Sequence, residues 1–252
     1  MQNSLNILYY IHQTVRLAVR AALTVVIAAA LSVLFTVYSM RSGVISATPL
    51  MVINQKAMKM QPQRKWVCLD SISPEVIRAV IATEDNNFFY HNGFDIEAIK
   101  WALKRNEEQS RQTYGASTIS QQTAKNLFLP PVRTWTRKAF EAGFTLLIEL
   151  LWSKARIMEV YLNVIEMGKN VYGIEAAAQV HFKKSAMQLT RYESVMIAII
   201  LPSPHRFNPA NPSPYMLSRQ EQVYEIMDKT LESGWYKNIR DIKKVKVNYL
   251  EQ

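Results

Sequence analysis

Two adjacent carboxylates, Glu84 and Asp85, are the first residues whose type and position could do chemistry. They end a helical apolar pattern that begins after Ser73, and four ring-bearing side chains follow at residues 88–91. Apolar surroundings raise the pKa of a carboxylate because they disfavour its charged form, which suits a general base or acid working near neutral pH. Acidic side chains are also commonly solvated at helix ends. The pair alone leaves both interpretations open.

A second group of polar residues follows the small-residue pair Gly115 and Ala116, where Ser117 or Thr118 is expected to cap a helix. The N–H groups and partial positive charge of a helix N-terminus bind phosphate oxygens or sugar hydroxyls. The polar residues that share one face of this helix are Ser117, Gln121, Gln122 and Lys125. A simple N-cap with an exposed polar side is the alternative interpretation.

The third group pairs Arg137 with Glu141, one helical turn apart. On a protein surface such an ion pair is ordinary and contributes only about 0.3 to 0.5 kcal/mol. The local excess of positive charge is less ordinary, because one carboxylate stands among four cations: Lys125, Arg133, Arg137 and Lys138. A pyrophosphate leaving group requires such an excess, since its charge grows as the glycosidic bond breaks.

Composition narrows the function only in part. The chain has 252 residues and a net charge of +10, which favours anionic partners such as nucleic acid, phospholipid head groups or pyrophosphates without choosing among them. The single cysteine, Cys68, excludes an intramolecular disulfide, a thiol metal cluster and a CxxC redox pair. Helix formers dominate long stretches and strand signals are few, which predicts a mainly α protein.

An apolar run, Ala21 to Met40, predicts a transmembrane helix. Its length matches the roughly 30 Å hydrocarbon layer at about 1.5 Å per residue. A buried core helix would rarely be apolar on all sides over this length, and a cleaved signal peptide has a shorter apolar region. Basic residues both precede and follow the run, so the positive-inside rule does not settle its orientation.

The remaining sequence is expected to form a connector at residues 41–65 and then a series of capped helices. The capping signals that predict helix starts are Ser73 with Pro74, Thr134, Ser153, and Thr190 with Glu193. The connector interleaves apolar and basic residues, so it either lies at a bilayer surface or packs on the domain. The most polar stretch, residues 104–116, lacks an apolar period and is predicted to be a loop.

In this order and spacing, the three groups resemble the signature of family 51 glycosyltransferases, the peptidoglycan polymerases. The similarity continues through residues 153–163, 173–178 and 201–209, and covers about residues 66–220. Two positions depart from the family pattern: Asn86 stands where Arg is usual, and Ala116 replaces the second glycine of a Gly-Gly pair. Neither position carries a group that we assign to chemistry.

The resemblance implies a lysozyme-like helical domain with a smaller, membrane-facing jaw lobe, preceded by one N-terminal transmembrane helix. The expected limits are a cytoplasmic segment at 1–20, the span at 21–40, the connector at 41–65 and the glycosyltransferase domain at 66–252. No SxxK motif occurs, so we expect no penicillin-binding domain and a similarity to the monofunctional biosynthetic branch.

The implied reaction polymerises lipid II into β-1,4-linked glycan strands with release of undecaprenyl diphosphate, and inverts the anomeric configuration. Glu84 is the expected general base. Glu141 is the second catalytic carboxylate; it orients the cations, coordinates Mg²⁺ or another divalent cation at the pyrophosphate, or assists the leaving oxygen. The expected substrate-binding residues are Asp85, Ser117, Thr118, Gln121, Gln122, Lys125, Arg133, Arg137 and Lys138. No protein ligand set for a metal is predicted.

The expected partners are lipid II, the lipid-linked glycan strand, the membrane and proteins of cell division or elongation, but not nucleic acid. The resemblance implies a single-pass protein of the cytoplasmic (inner) membrane with a periplasmic catalytic domain. A lysozyme-like lytic transglycosylase or hydrolase is the alternative function, and it would need no cation cluster. A non-catalytic membrane scaffold, in which the carboxylates serve only folding, is the third.

Overall fold

The computed structural model describes residues 2–108, 115–132 and 134–232. The chain divides into two compact units, Met1–Ser42 and Gly43–Gln252. Because the observed division follows Ser42, it lies close to the end of the predicted span at residue 40. The other predicted domain limits stay predictions.

The N-terminal unit is built on one long helix, α1, which covers Gln2–Ser39. Its stretch His12–Ser39 is long and apolar enough to cross a membrane, and the apolar 18-residue window that defines it has no buried residue. Polar side chains in this stretch bond to the helix itself, as when Thr24 Oγ1 donates to the carbonyl of Arg20 at 2.9 Å. Such a bond satisfies a hydroxyl that lipid could not satisfy. The predicted boundary at residue 20 coincides with no break in this helix.

The second unit is mostly helical, and the predicted mainly α fold class is confirmed. In chain order its elements are α2 Pro49–Met58, β1 Gln63–Arg64, α3 Pro74–Glu84, α4 Ile96–Glu108, α5 Ile119–Phe128, α6 Trp135–Leu151, α7 Lys154–Val164, β2 Glu166–Gly168, β3 Val171–Tyr172, α8 Ile174–Phe182, α9 Arg191–Ile200 and α10 Pro214–Glu232.

The three short strands form one sheet in the order β1-β3-β2. β1 pairs parallel to β3, with Gln63 opposite Val171, and β2 pairs antiparallel to β3 with an irregular register. The sheet therefore joins the segment before α3 to the segment between α7 and α8.

The helix starts follow the capping signals of the sequence. Ser73 and Pro74 begin α3, Thr134 caps α6 and Ser153 caps α7; in each case the side-chain oxygen accepts a hydrogen bond from a backbone N–H. Thr190 and Glu193 form a reciprocal capping box at the start of α9. The predicted starts of these helices are confirmed.

Two predicted connecting segments contain more regular structure than expected. The connector includes α2 and β1, and Met51 of α2 is buried while Val52 and Ile53 are exposed. It therefore packs on the domain with one side and leaves apolar side chains outside. The prediction of a loop over 104–116 is wrong for residues 104–108, which continue α4, because the polar side chains leave a solvent-facing turn intact. Residues 109–114 lie outside the described residues.

The core lies where α3, α7 and α9 bury whole faces, with Ile77, Met158, Tyr161 and Ile197 fully enclosed. α3 packs against α9, and α10 contacts both. α5 packs between α6 and α7 on the other side. This arrangement brings the end of α3, the first turns of α5 and one face of α10 together.

Candidate active site

Glu84 is the last residue of α3, and its side chain is half-buried at the wall of a cavity of about 390 Å³. Gln122 Nε2, on α5, donates a hydrogen bond to Glu84 Oε2 at 2.7 Å. Burial raises the pKa of Glu84, and the hydrogen bond from Gln122 and the charge of Lys125 oppose this effect only partly. Glu84 therefore has the environment of a group that exchanges a proton closer to neutral pH than an exposed glutamate does.

Gln122 is itself held by α7. The hydroxyl of Tyr161 donates to Gln122 Oε1 at 3.3 Å, so the amide connects a fully buried tyrosine to the Glu84 carboxylate. Burial raises the pKa of Tyr161 well above its ordinary value, and the charges of Glu84 and Asp85 act in the same direction. Tyr161 therefore stays neutral and acts as a hydrogen-bond donor under Gln122.

Asp85 joins three parts of the site. Its side chain is 1% exposed; it accepts hydrogen bonds from the backbone N–H of Ile119 at 2.9 Å and from His91 Nε2 at 2.9 Å. The end of α3, the following loop and the first residue of α5 are thus fixed to one carboxylate. The oxygens of Asp85 accept from protein donors, which gives this side chain a positioning role, and its predicted contact with substrate stays a prediction.

The loop after Asp85 is held from both sides. Thr118 Oγ1 donates to the carbonyl of Gly93 at 2.6 Å, and Lys154 Nζ donates to the carbonyl of His91 at 2.7 Å. Gly93 has a φ of +95°, and a Cβ there would lie 2.8 Å from Cγ2 of Thr145, so only glycine fits. Of the rings that follow Asp85, Phe88 is fully buried, whereas Tyr90 is exposed.

The predicted sugar-binding face of α5 divides into two parts. Thr118 and Gln121 are buried and form a capping box, in which Thr118 Oγ1 accepts from the Gln121 N–H at 3.1 Å and Gln121 Oε1 accepts from the Thr118 N–H at 3.0 Å. Their polar atoms begin the helix, and the prediction that these two side chains contact substrate stays a prediction. Ser117 is exposed, and Gln122 and Lys125 are partly exposed, so these three remain available.

The cation cluster lies at the start of α6. Glu141 is 2% exposed, and its two carboxylate oxygens accept from different cations: Oε2 from Arg137 Nη1 at 3.1 Å and Oε1 from Lys138 Nζ. Arg133 lies outside the described residues. The ion pair between Arg137 and Glu141 is therefore part of a three-member network around a buried carboxylate, rather than the solvated surface pair that spacing alone allows.

Lys125 connects this cluster to Glu84. Burial lowers the pKa of Lys125 most; the charge of Glu141 opposes this, the charges of Arg137 and Lys138 reinforce it, and Glu84 opposes it. Because Lys125 interacts electrostatically with both carboxylates, the base candidate and the cations belong to one site. Arg137 and Lys138 both pair with the single carboxylate of Glu141, so together with Lys125 the cluster carries more positive than negative charge.

Arg219 was not predicted. It lies on α10, lines the same cavity as Glu84 together with Tyr215 and Gln222, and its charge acts on the Glu84 carboxylate. The sequence places Arg219 far from every predicted site residue, in a helix that carries several other charges. Only the packing of α10 on α3 brings it to the site.

A helical fold that sets one half-buried carboxylate beside a group of fixed cations defines an enzyme of glycosyl transfer with a charged leaving group. The chain belongs to the Transglycosylase family, whose sequence profile matches residues 51–228. The predicted family membership and the lysozyme-like helical fold class are thus confirmed.

Relatives in several bacteria share much of the domain. The biosynthetic peptidoglycan transglycosylase of Bacteroides thetaiotaomicron is 54% identical over 186 residues, which are 72% of this chain and 75% of the relative. The protein of the same name from Bdellovibrio bacteriovorus is 51% identical over 70% of this chain and 72% of its own length. That from Escherichia coli (strain K12 / DH10B) is 53% identical over 64% of this chain and 68% of its own length.

We predict that Asp85→Ala lowers both stability and turnover, because the Ile119 N–H and His91 lose a buried acceptor. The free energy of unfolding should fall by about 1 to 3 kcal/mol, measured by denaturant unfolding in detergent. The matched control is Glu97→Ala, which removes an exposed carboxylate paired only with exposed Lys100 and should change stability by less than about 0.5 kcal/mol. Equal effects of the two variants would show that Asp85 does not hold the site together.

Proposed function

We propose that the chain is a peptidoglycan glycosyltransferase that polymerises lipid II into β-1,4-linked glycan strands and releases undecaprenyl diphosphate. The family and the names of the relatives support this function. The observation that carries the mechanism is the placement of Glu84 and the cations around Lys125, which interacts electrostatically with both.

Glu84 is the base in this mechanism. The 4-hydroxyl of the acceptor, lipid II, attacks the anomeric carbon of the donor strand and gives its proton to Glu84. The bond between that carbon and the pyrophosphate oxygen breaks, and the leaving group takes the electron pair. A single displacement inverts the α-linked donor into a β-linked product. The raised pKa of Glu84 suits it to accept this proton near neutral pH.

The cations act on the other end of the breaking bond. Lys125, Arg137 and Lys138 stabilise the negative charge that grows on the pyrophosphate, and their partial burial strengthens that interaction. Arg133, predicted for the same role, stays a prediction. Gln122 holds Glu84 in place, and Ser117 with Gln122 offers polar groups to the sugars.

Among the three roles left open for Glu141, the contacts favour orientation of the cations. Both of its carboxylate oxygens already accept from Arg137 and Lys138, and Lys125 adds further positive charge. A divalent cation would have to displace one of these side chains. Within the described residues, no group of three or more His, Cys, Asp or Glu side chains could hold a metal. The donor set therefore fits Mg²⁺ poorly, and no step is assigned to it.

We therefore predict that lipid II turnover by the purified protein is unchanged by a chelator, because side-chain cations neutralise the pyrophosphate. Turnover is measured with and without the chelator, and again after Mg²⁺ is restored in excess. Loss of activity that only a divalent ion restores would contradict this role for Glu141.

α1 supports an anchored protein, since its apolar stretch is long enough to span a bilayer. We propose that the anchor lies in the cytoplasmic (inner) membrane and that the catalytic domain faces the periplasm, where the flipped lipid precursor is displayed. A polyprenyl substrate then reaches the site without leaving the lipid. Proteins of cell division or elongation stay predicted partners.

We predict that Glu84→Gln abolishes polymerisation, with a loss of roughly 10²- to 10⁴-fold in turnover of lipid II. The amide keeps the size of the side chain but cannot accept the proton. Glu97→Gln serves as the control, because Glu97 is an exposed glutamate outside the site. Near-native polymerisation by a folded Glu84→Gln protein would remove Glu84 as the base.

A further inference from the structure

Arg219 lines the same cavity as Glu84, the proposed base. The cavity is lined by residues of α3, α9 and α10, and both Glu84 and Arg219 belong to that lining. Arg219 is half-buried, and its Nη1 donates to Gln222 Oε1 at 2.8 Å, a residue one turn away that lines the same cavity. This bond joins the guanidinium to a second residue of the cavity lining, the exposed Gln222.

Charged and titratable groups act on Glu84 from several elements. Asp85 follows it in the chain, Tyr161 lies on α7, Lys125 on α5 and Arg219 on α10. Asp85 disfavours the ionised form of Glu84, and Tyr161 is neutral. Lys125 and Arg219 are the two cations that favour the ionised carboxylate.

These two cations differ in their other neighbours. Lys125 interacts with Glu141, Arg137 and Lys138, the cluster assigned to the pyrophosphate. When an anionic substrate binds that cluster, it offsets the charge of Lys125 at the step in which Glu84 must stay ionised. Arg219 reaches Glu84 from a different helix, and an arginine keeps its charge at every pH used in an assay.

We propose that Arg219 is a positioning residue that keeps Glu84 ionised while the substrate pyrophosphate neutralises Lys125. The proposal rests on the proposed function, because it needs Glu84 to act as a base. It assigns α10 a part in the reaction beyond its packing on α3 and α9.

The sign of the effect follows from the charge. Loss of Arg219 removes a cation that favours the carboxylate, so the pKa of Glu84 rises and the acid limb of the rate profile moves to higher pH. For Arg219→Gln we expect a displacement of about 0.3 to 0.5 pH unit, because Arg219 is half-buried and solvent screens its charge. On the limb itself this is roughly a two- to threefold lower kcat, whereas the rate at pH values above the limb changes little.

The test compares pH profiles of kcat at saturating lipid II, which report the enzyme–substrate complex, among four purified proteins. The unsubstituted protein and Arg219→Lys should share one acid limb, since lysine restores the charge. Arg219→Gln should be displaced. Lys229→Gln, which removes a cation from an exposed position on the same helix, should follow the unsubstituted protein.

An Arg219→Gln limb that stays in place would overturn the proposal, and so would either of two other results. The first is an Arg219→Gln profile that is lowered equally at every pH, with a raised KM, which would make Arg219 a substrate contact. The second is an equal displacement by Lys229→Gln, which would reduce the effect to net charge. The Glu84→Gln variant distinguishes a failure of this proposal from a failure of the proposed function. If Glu84→Gln is inactive while Arg219→Gln leaves the limb in place, only the role of Arg219 fails. If Glu84→Gln is active, the assignment of Glu84 as the base fails.

Discussion

The site depends on the two hydrogen bonds that Asp85 accepts, one from the first residue of α5 and one from His91. A buried carboxylate with two donors fixes the end of α3 against the start of α5 more firmly than side-chain packing alone. Glu84 precedes Asp85 and Gln122 follows Ile119, so this connection also sets the bond between Glu84 and Gln122. In the proposed mechanism, the base is therefore positioned by its neighbour in the chain.

From this connection the charges of the site fall into two groups. Glu84 lies where burial disfavours its charge, whereas Lys125, Arg137 and Lys138 lie close to one another and to the buried Glu141. Like charges held together are unfavourable until an anion arrives, so part of the affinity for a pyrophosphate is built into the folded protein. α5 carries both Gln122 and Lys125, which makes it the element that couples the two ends of the reacting bond.

The sequence was sufficient for features that depend on nearby residues. Capping signals at Ser73, Thr134 and Ser153 act over one turn, so the helix starts were predicted correctly. The capping box of Gln121 was not predicted, because the spacing that puts a residue on a polar face also suits a capping box. The strands are two or three residues long, too short to leave a periodic pattern, and Arg219 reaches the site only through packing of α10.

A lytic enzyme on a similar helical fold would need one acid and would bind no pyrophosphate. The central claim is therefore that this enzyme lengthens glycan strands rather than cleaves them. The most direct test incubates the purified full chain separately with lipid II and with preformed, lipid-free glycan strands, and follows product length and released lipid. The account predicts longer polymers from lipid II, one undecaprenyl diphosphate released for each bond formed, and unchanged preformed strands. Shortening of the preformed strands without growth from lipid II would contradict it.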